Sequence, residues 1–247
     1  MARRATAIAD AKARSESFLL LDAGDSLTGD MDPARKTQGK ISVEVMNRLR
    51  YDAMALGPQD LALGLTVLRQ RIAEADFAVL SANAVATDSE QLIASPYLIR
   101  EFAGYRIAIV GLSGGKGSLD ITVQDPLAAA QKTVAELRPQ ADIVILLSHA
   151  GREIDRQIAA SVPGIAIIIS GGSGARPTPM QDQNTGTLIL HADEPFPGHA
   201  GRLLGIGTFT FDQQGKLLSY EWRRLSLGPE IADDSDMAAW VREQLAQ

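Results

Sequence analysis

The 247-residue chain has no cysteine, so disulfide bridges, thiolate metal sites and a cysteine nucleophile are all excluded, and the redox compartment stays open. Aromatic residues make up only 5% and there are three histidines, so a stacking platform or an imidazole-rich metal cage has little to draw on. Long hydrophobic runs are also missing. The longest, 143–147 and 165–169, fall far short of the roughly 20 residues that span a bilayer. Positive charge is in deficit, with 24 Lys and Arg against 30 Asp and Glu, which gives no electrostatic ground for a nucleic-acid partner.

What remains is a globular composition, 45% hydrophobic and 22% charged, with length enough for one domain or two. No composition shift marks a boundary, so one domain over 1–247 is the economical expectation. The opening MARRATAIADAKARSES has a basic start but no apolar core, and reads as an amphipathic helix rather than a signal peptide. A cytoplasmic location is the default expectation from that reading.

Short apolar runs alternate with segments of helical period, which marks an α/β fold. Phe18–Leu21, Ala53–Leu56, Phe77–Leu80, Ile107–Val110, Ile143–Leu147 and Ile165–Ile169 read as strands buried on both faces. Helical faces are carried by Ile41, Val45, Met46 and Leu49, and by Leu65, Leu68 and Ile72. A third helix opens at Asp125-Pro126 and closes at Arg138-Pro139. Antiparallel hairpins are expected over 96–112 and 201–227, and a last helix over 235–245 places Trp240 and Val241 for docking. Residues 22–39, 113–124, 170–186 and 192–201 read as loops.

Four of the strands run directly into polar or glycine-rich residues: LLLDAGD (19–25), LGPQD (56–60), LLSHAG (146–151) and IISGGSG (168–174). Ligands collect at the carboxyl ends of strands in such sheets, so these loops form the candidate site. With SAN (81–83), ILLSHAGREID (145–155) and HAGRLLGIGTFTFDQQGKL (199–217), their order resembles that of the calcineurin-like metallophosphoesterase domain of the 5′-nucleotidase family, across essentially the whole chain.

The resemblance implies a four-layer α-β-β-α sandwich of two mixed sheets, here lacking the family's first strand. It also implies two divalent metals that polarise a phosphoryl group and activate water. Asp25 matches the bridging carboxylate and His149 the histidine of the family's LSH motif. The other positions depart from the pattern. Pro58 stands for a ligand asparagine, Gln59 and Asp60 for the histidine and glutamate of GNHE, and Gly172 and Gly174 for the two histidines of GGHSH. Two donors fall short of the three protein ligands a catalytic zinc site uses.

The resemblance therefore implies a catalytically impaired member, a pseudoenzyme, with no confident catalytic residue and no cofactor. One divalent ion (Mn, Zn or Mg) held by the surviving Asp25 and His149 together with Gln59 and Asp60 is the alternative, giving a residual or altered hydrolase. A binding module for a small phosphorylated ligand, a nucleotide or a protein is a further one. Structural readings stand beside each residue: Asp25 closing a turn, His149 as a hydrogen-bonded strand-end residue, His191 and His199 as surface or loop residues. Asp22, Asp25, Asp30 and Asp32 read as a solvated loop or an all-oxygen cation site. SGGKGS (113–118) lacks the Walker spacing and reads as a flexible connection with weak anion-binding capacity.

Overall fold

The computed structural model describes residues 1–28, 32–172, 179–192 and 201–246. From the N-terminus run helix α1 (Ala2–Ala13), strand β1 (Leu21–Asp22), and helices α2 (Asp32–Lys36) and α3 (Lys40–Leu49). Strand β2 (Ala53–Ala55), helices α4 (Pro58–Leu61) and α5 (Leu65–Glu74), and strands β3 (Ala78–Leu80) and β4 (Ala84–Ala86) follow. The middle holds the hairpin β5 (Tyr97–Phe102) and β6 (Tyr105–Leu112), then β7 (Ile121–Val123), α6 (Pro126–Leu137), β8 (Ile143–Ser148) and α7 (Arg152–Ser161). The last part comprises β9 (Ile167–Ser170), β10 (Met180–Gln181), β11 (Leu188–Leu190), the ribbon β12 (Leu203–Phe211) and β13 (Leu217–Ser226), and α8 (Ser235–Leu245).

Two sheets stack face to face because the strand period of two gives each strand two apolar sides. Strands β1-β2-β3 form a parallel sheet, and β10-β11-β9-β8-β6-β5 a mixed one with antiparallel strands at both edges. Ala53, Ala55 and Leu80 meet Ile107, Ile109, Ile143, Ile145 and Leu147 between the sheets. The alternate residues turn outward. Met54 and Val79 pack under α3 and α5, while Ala108, Val110, Val144 and Leu146 pack under α6 and α7. The four layers expected from the resemblance are present in this order.

Some boundaries move for identifiable reasons. The run at 18–21 pairs only over Leu21–Asp22, because the Asp52 carboxylate takes the Leu20 amide at 2.8 Å in place of a ladder bond. Strand β6 extends to Leu112, where it still pairs with Ser148 of β8. Within stretches read as loops lie α2, β7 and β10. Helix α7 and strand β11 had no counterpart among the expected elements, since α7 carries a buried aspartate, Asp155, inside its apolar stripe. Trp240 docks as expected, buried against Val45 and Met237 with the Arg48 guanidinium 4.7 Å from its ring centre. Among the described residues no helix is long and apolar enough to cross a membrane.

Candidate functional site

The chain leaves β1 through a tight turn. Gly24 and Asp25 both hold left-handed backbone, φ +104° and +61°, and Asp22 closes the turn by accepting from the Gly24 amide and the Ser26 hydroxyl, each at 2.9 Å. Burial pushes the Asp22 carboxyl above its ordinary range. The turn thus delivers the Ala23 carbonyl and the Asp25 carboxylate to the space between the ends of β1, β2 and β8.

Across from it, β2 runs into Gly57 and the single turn of α4. A Cβ on Gly57 would lie 2.1 Å from Asp25 Oδ1, so glycine is required for the approach. The Gln59 amide donates to that oxygen at 2.8 Å. Asp60 points inward with no exposed surface and accepts three backbone N–H groups, from Gly57 (2.9 Å), Asp25 (2.8 Å) and Leu27 (2.9 Å). Burial drives its carboxyl up to about 7, helped by the neighbouring Asp25 charge and resisted by the amides. Asp60 is therefore a structural clamp joining the two loops.

His149 stands at the end of β8, 7% exposed. Its Nδ1 donates to the Ala23 carbonyl at 2.7 Å, and its Nε2 lies 3.1 Å from Asp25 Oδ2. Both ring nitrogens face acceptors, which favours the imidazolium. Burial opposes the charge, but the bond to Asp25 and its charge, with the Ala23 carbonyl, outweigh it and raise the imidazole above its ordinary value. Glycines surround the ring. Cβ atoms on Gly24 and Gly171 would lie 2.9 and 2.7 Å from Nδ1, and one on Gly172 3.2 Å from Nε2.

The structure thus brings Asp25 and His149 together, with Pro58, Gln59, Asp60 and Gly172 around them. Gly174, His199 and Asp30 lie outside the described residues, as does the side chain of Asp32. Asp22 is bonded to Ser26 and Gly24. Gln59 is exposed and contributes only its amide to Asp25. Among the described residues no group of three or more His, Asp and Glu is placed to hold a metal ion. The connection 113–118 is pinned rather than loose: Asn83 brackets Ser113 by its amide and carbonyl at 2.8 and 2.9 Å, and the Ser118 amide reaches Ile121 O.

His191, expected as a surface or loop residue, does lie just past the end of β11, outside any strand, but it is buried rather than on the surface, 7% exposed with Nδ1 donating to the Ser170 carbonyl. Sequence reasoning also passed over Asp155. That carboxylate accepts from Ser148 Oγ at 2.5 Å and from Ser170 Oγ, and is fully buried. Burial drives it up to about 6, against the two hydroxyl bonds. A buried aspartate on an otherwise apolar helical stripe, facing strands that both end in serine, was the available signal.

No family model matches the chain. The snake venom 5′-nucleotidase of Crotalus adamanteus is 28% identical over all of this chain and 46% of its own length. A 5′-nucleotidase precursor from Thermus thermophilus superimposes with TM-score 0.84 at 29% identity, covering 99% of this chain and 52% of that one. The calcineurin-like phosphoesterase YfkN of Bacillus subtilis shares the fold, with TM-score 0.79 at 20% identity over 100% of this chain and 88% of that one. The chain spans about half the length of the curated relatives it matches. Its homologues are 5′-nucleotidases and calcineurin-like phosphoesterases, and the chain aligns with the N-terminal domain of the 5′-nucleotidases among them.

Proposed function

We infer that this chain, one domain over 1–247, is a metallophosphoesterase-type scaffold whose metal centre has been replaced by an Asp25–His149 hydrogen-bonded latch, leaving it catalytically impaired. The carrying observation is that both surviving donors are engaged by groups of the chain itself. One oxygen of Asp25 is taken by the Gln59 amide and the other by His149 Nε2, while His149 Nδ1 is taken by Ala23.

The donor chemistry agrees. Proline and glycine supply no side-chain donor at 58 and 172, and the exposed glutamine at 59 cannot act as an acid or base near neutral pH. A dinuclear centre does not fit these residues. The relatives named 5′-nucleotidase make a phosphorylated small molecule the first ligand class to screen.

Calorimetric titration of Mn²⁺ into chelator-stripped protein tests the reading, with Asp25→Ala as control. The expected result is no saturable binding and no phosphate release from a phosphoester panel. Saturable binding abolished by Asp25→Ala, with metal-dependent release, would replace the latch by a one-metal hydrolase.

A further inference from the structure

Behind His149 lies a buried polar group that the latch does not use. Ser148 ends β8 and immediately precedes His149; Ser170 ends β9 and immediately precedes Gly171. Asp155 on α7 takes one hydroxyl with each carboxylate oxygen, Ser148 on Oδ1 and Ser170 on Oδ2. The Gly171 amide donates to the Ser148 carbonyl at 2.7 Å, and the Ser170 carbonyl receives His191 Nδ1. Three strand ends, β8, β9 and β11, are thereby tied to one helix.

We propose that Asp155 is a positioning residue for His149, a two-handed tie that holds the end of β9 against the imidazole so that its Nδ1 keeps the Ala23 carbonyl. Two observations make the tie directional. Gly171 approaches so closely that even a Cβ would sit 2.7 Å from Nδ1, so a small displacement of β9 moves the wall of the ring's slot. Ser148 Oγ, besides donating to Asp155, accepts the Ala150 amide at 3.2 Å, which fixes the backbone on both sides of His149. The carboxylate form suits this work, because only it accepts from both hydroxyls at once. Facing Asp155 are Ser148 and the charge of His149 on β8 and Ser170 on β9, with His191 one carbonyl further.

The tie concerns where His149 is held, not whether it binds metal, so its test uses chelator-treated protein and reads independently of the Mn²⁺ titration. The measurement is exchange of the His149 Nδ1 proton by NMR, with backbone amides of β2 and β3 as an internal reference. Asp155→Ala is expected to speed that exchange roughly tenfold or more while leaving the reference amides within about twofold. Asp155→Asn, whose carbonyl accepts one serine and whose NH₂ donates to the other, is expected to restore most of the protection. Should Asp155→Ala fail to fold, Ser170→Ala removes one arm and carries the same expectation at smaller size. Unchanged Nδ1 exchange, or an equal acceleration of Nδ1 and the reference amides, overturns the proposal.

Discussion

The two corners that meet at His149 satisfy their buried carboxylates in opposite ways. At the β1–β2 corner, Asp60 is held by three backbone amides; at the β8–β9 corner, Asp155 is held by two serine hydroxyls. An amide can only donate, whereas a hydroxyl can donate or accept. The first corner therefore calls for a side chain with two acceptor oxygens and for fixed backbone, and the second tolerates rearrangement.

The largest effect expected from this contrast is at the glycines of the first corner. Gly57→Ala puts a methyl group 2.1 Å from Asp25 Oδ1, with backbone and side chain both immobile, and should cost about 3 kcal/mol or more in chemical denaturation. Gly172→Ala, on the other side of the ring, meets it at 3.2 Å and carries mainly the left-handed φ of +78°, so about 1–2 kcal/mol is expected. Equal losses would mean that the first corner is no stiffer than the second.

Substituting the carboxylates comes next. Asp60→Asn turns an NH₂ toward a backbone N–H that can only donate, and should lose about 2 kcal/mol; Asp155→Asn keeps both serine contacts and should lose about 1 kcal/mol or less. Reversal of that order in urea midpoints would sink the distinction drawn between amide and hydroxyl donors.

Stability should also depend on pH with one sign. Folding raises the Asp60 carboxyl from 3.8 to about 7 and the Asp155 carboxyl from 3.8 to about 6, mainly by burial, so the folded state holds more protons than the unfolded across those intervals. Stability fully present near pH 4 is lost as pH rises through those folded values. His149, raised above 6.5, adds a contribution complete below 6.5 that disappears as pH rises through its higher folded value. Unfolding free energy is expected to fall between about pH 4 and pH 7, on the order of 1.4 kcal/mol per pH unit for each titrating group. In Asp60→Asn the slope between pH 5 and 7 should shrink; an unchanged slope would assign it elsewhere.

The layers were legible because strand period and helix period are local properties of sequence. Ile107 and Ile109 face one way and Ala108 and Val110 the other, as alternation requires. Asp25 and His149 were legible as positions because of the motifs around them. Their direct contact was not, since it depends on the register that brings the end of β8 beside the turn after β1. Asp60 was read as a substitute for a glutamate, whereas its role depends on amides of residues 25 and 27, more than 30 positions away. The burial of His191 was not legible because a histidine after Leu188–Leu190 gives no local sign that the preceding strand lies inside the sheet beside β9.

The smallest effect expected is also the sharpest for the first corner. Gln59 stands where the resembled motif has a histidine, so a side-chain role would make Gln59→Ala costly. Here the side chain is exposed and only the amide touches Asp25, a bond that alanine preserves. The variant should keep its denaturation midpoint within about 0.5 kcal/mol of the parent and leave the His149 Nδ1 proton protected. A larger loss, or a faster-exchanging Nδ1 proton, would show that the glutamine side chain reaches the latch, and the corner would then depend on a side chain as well as on backbone.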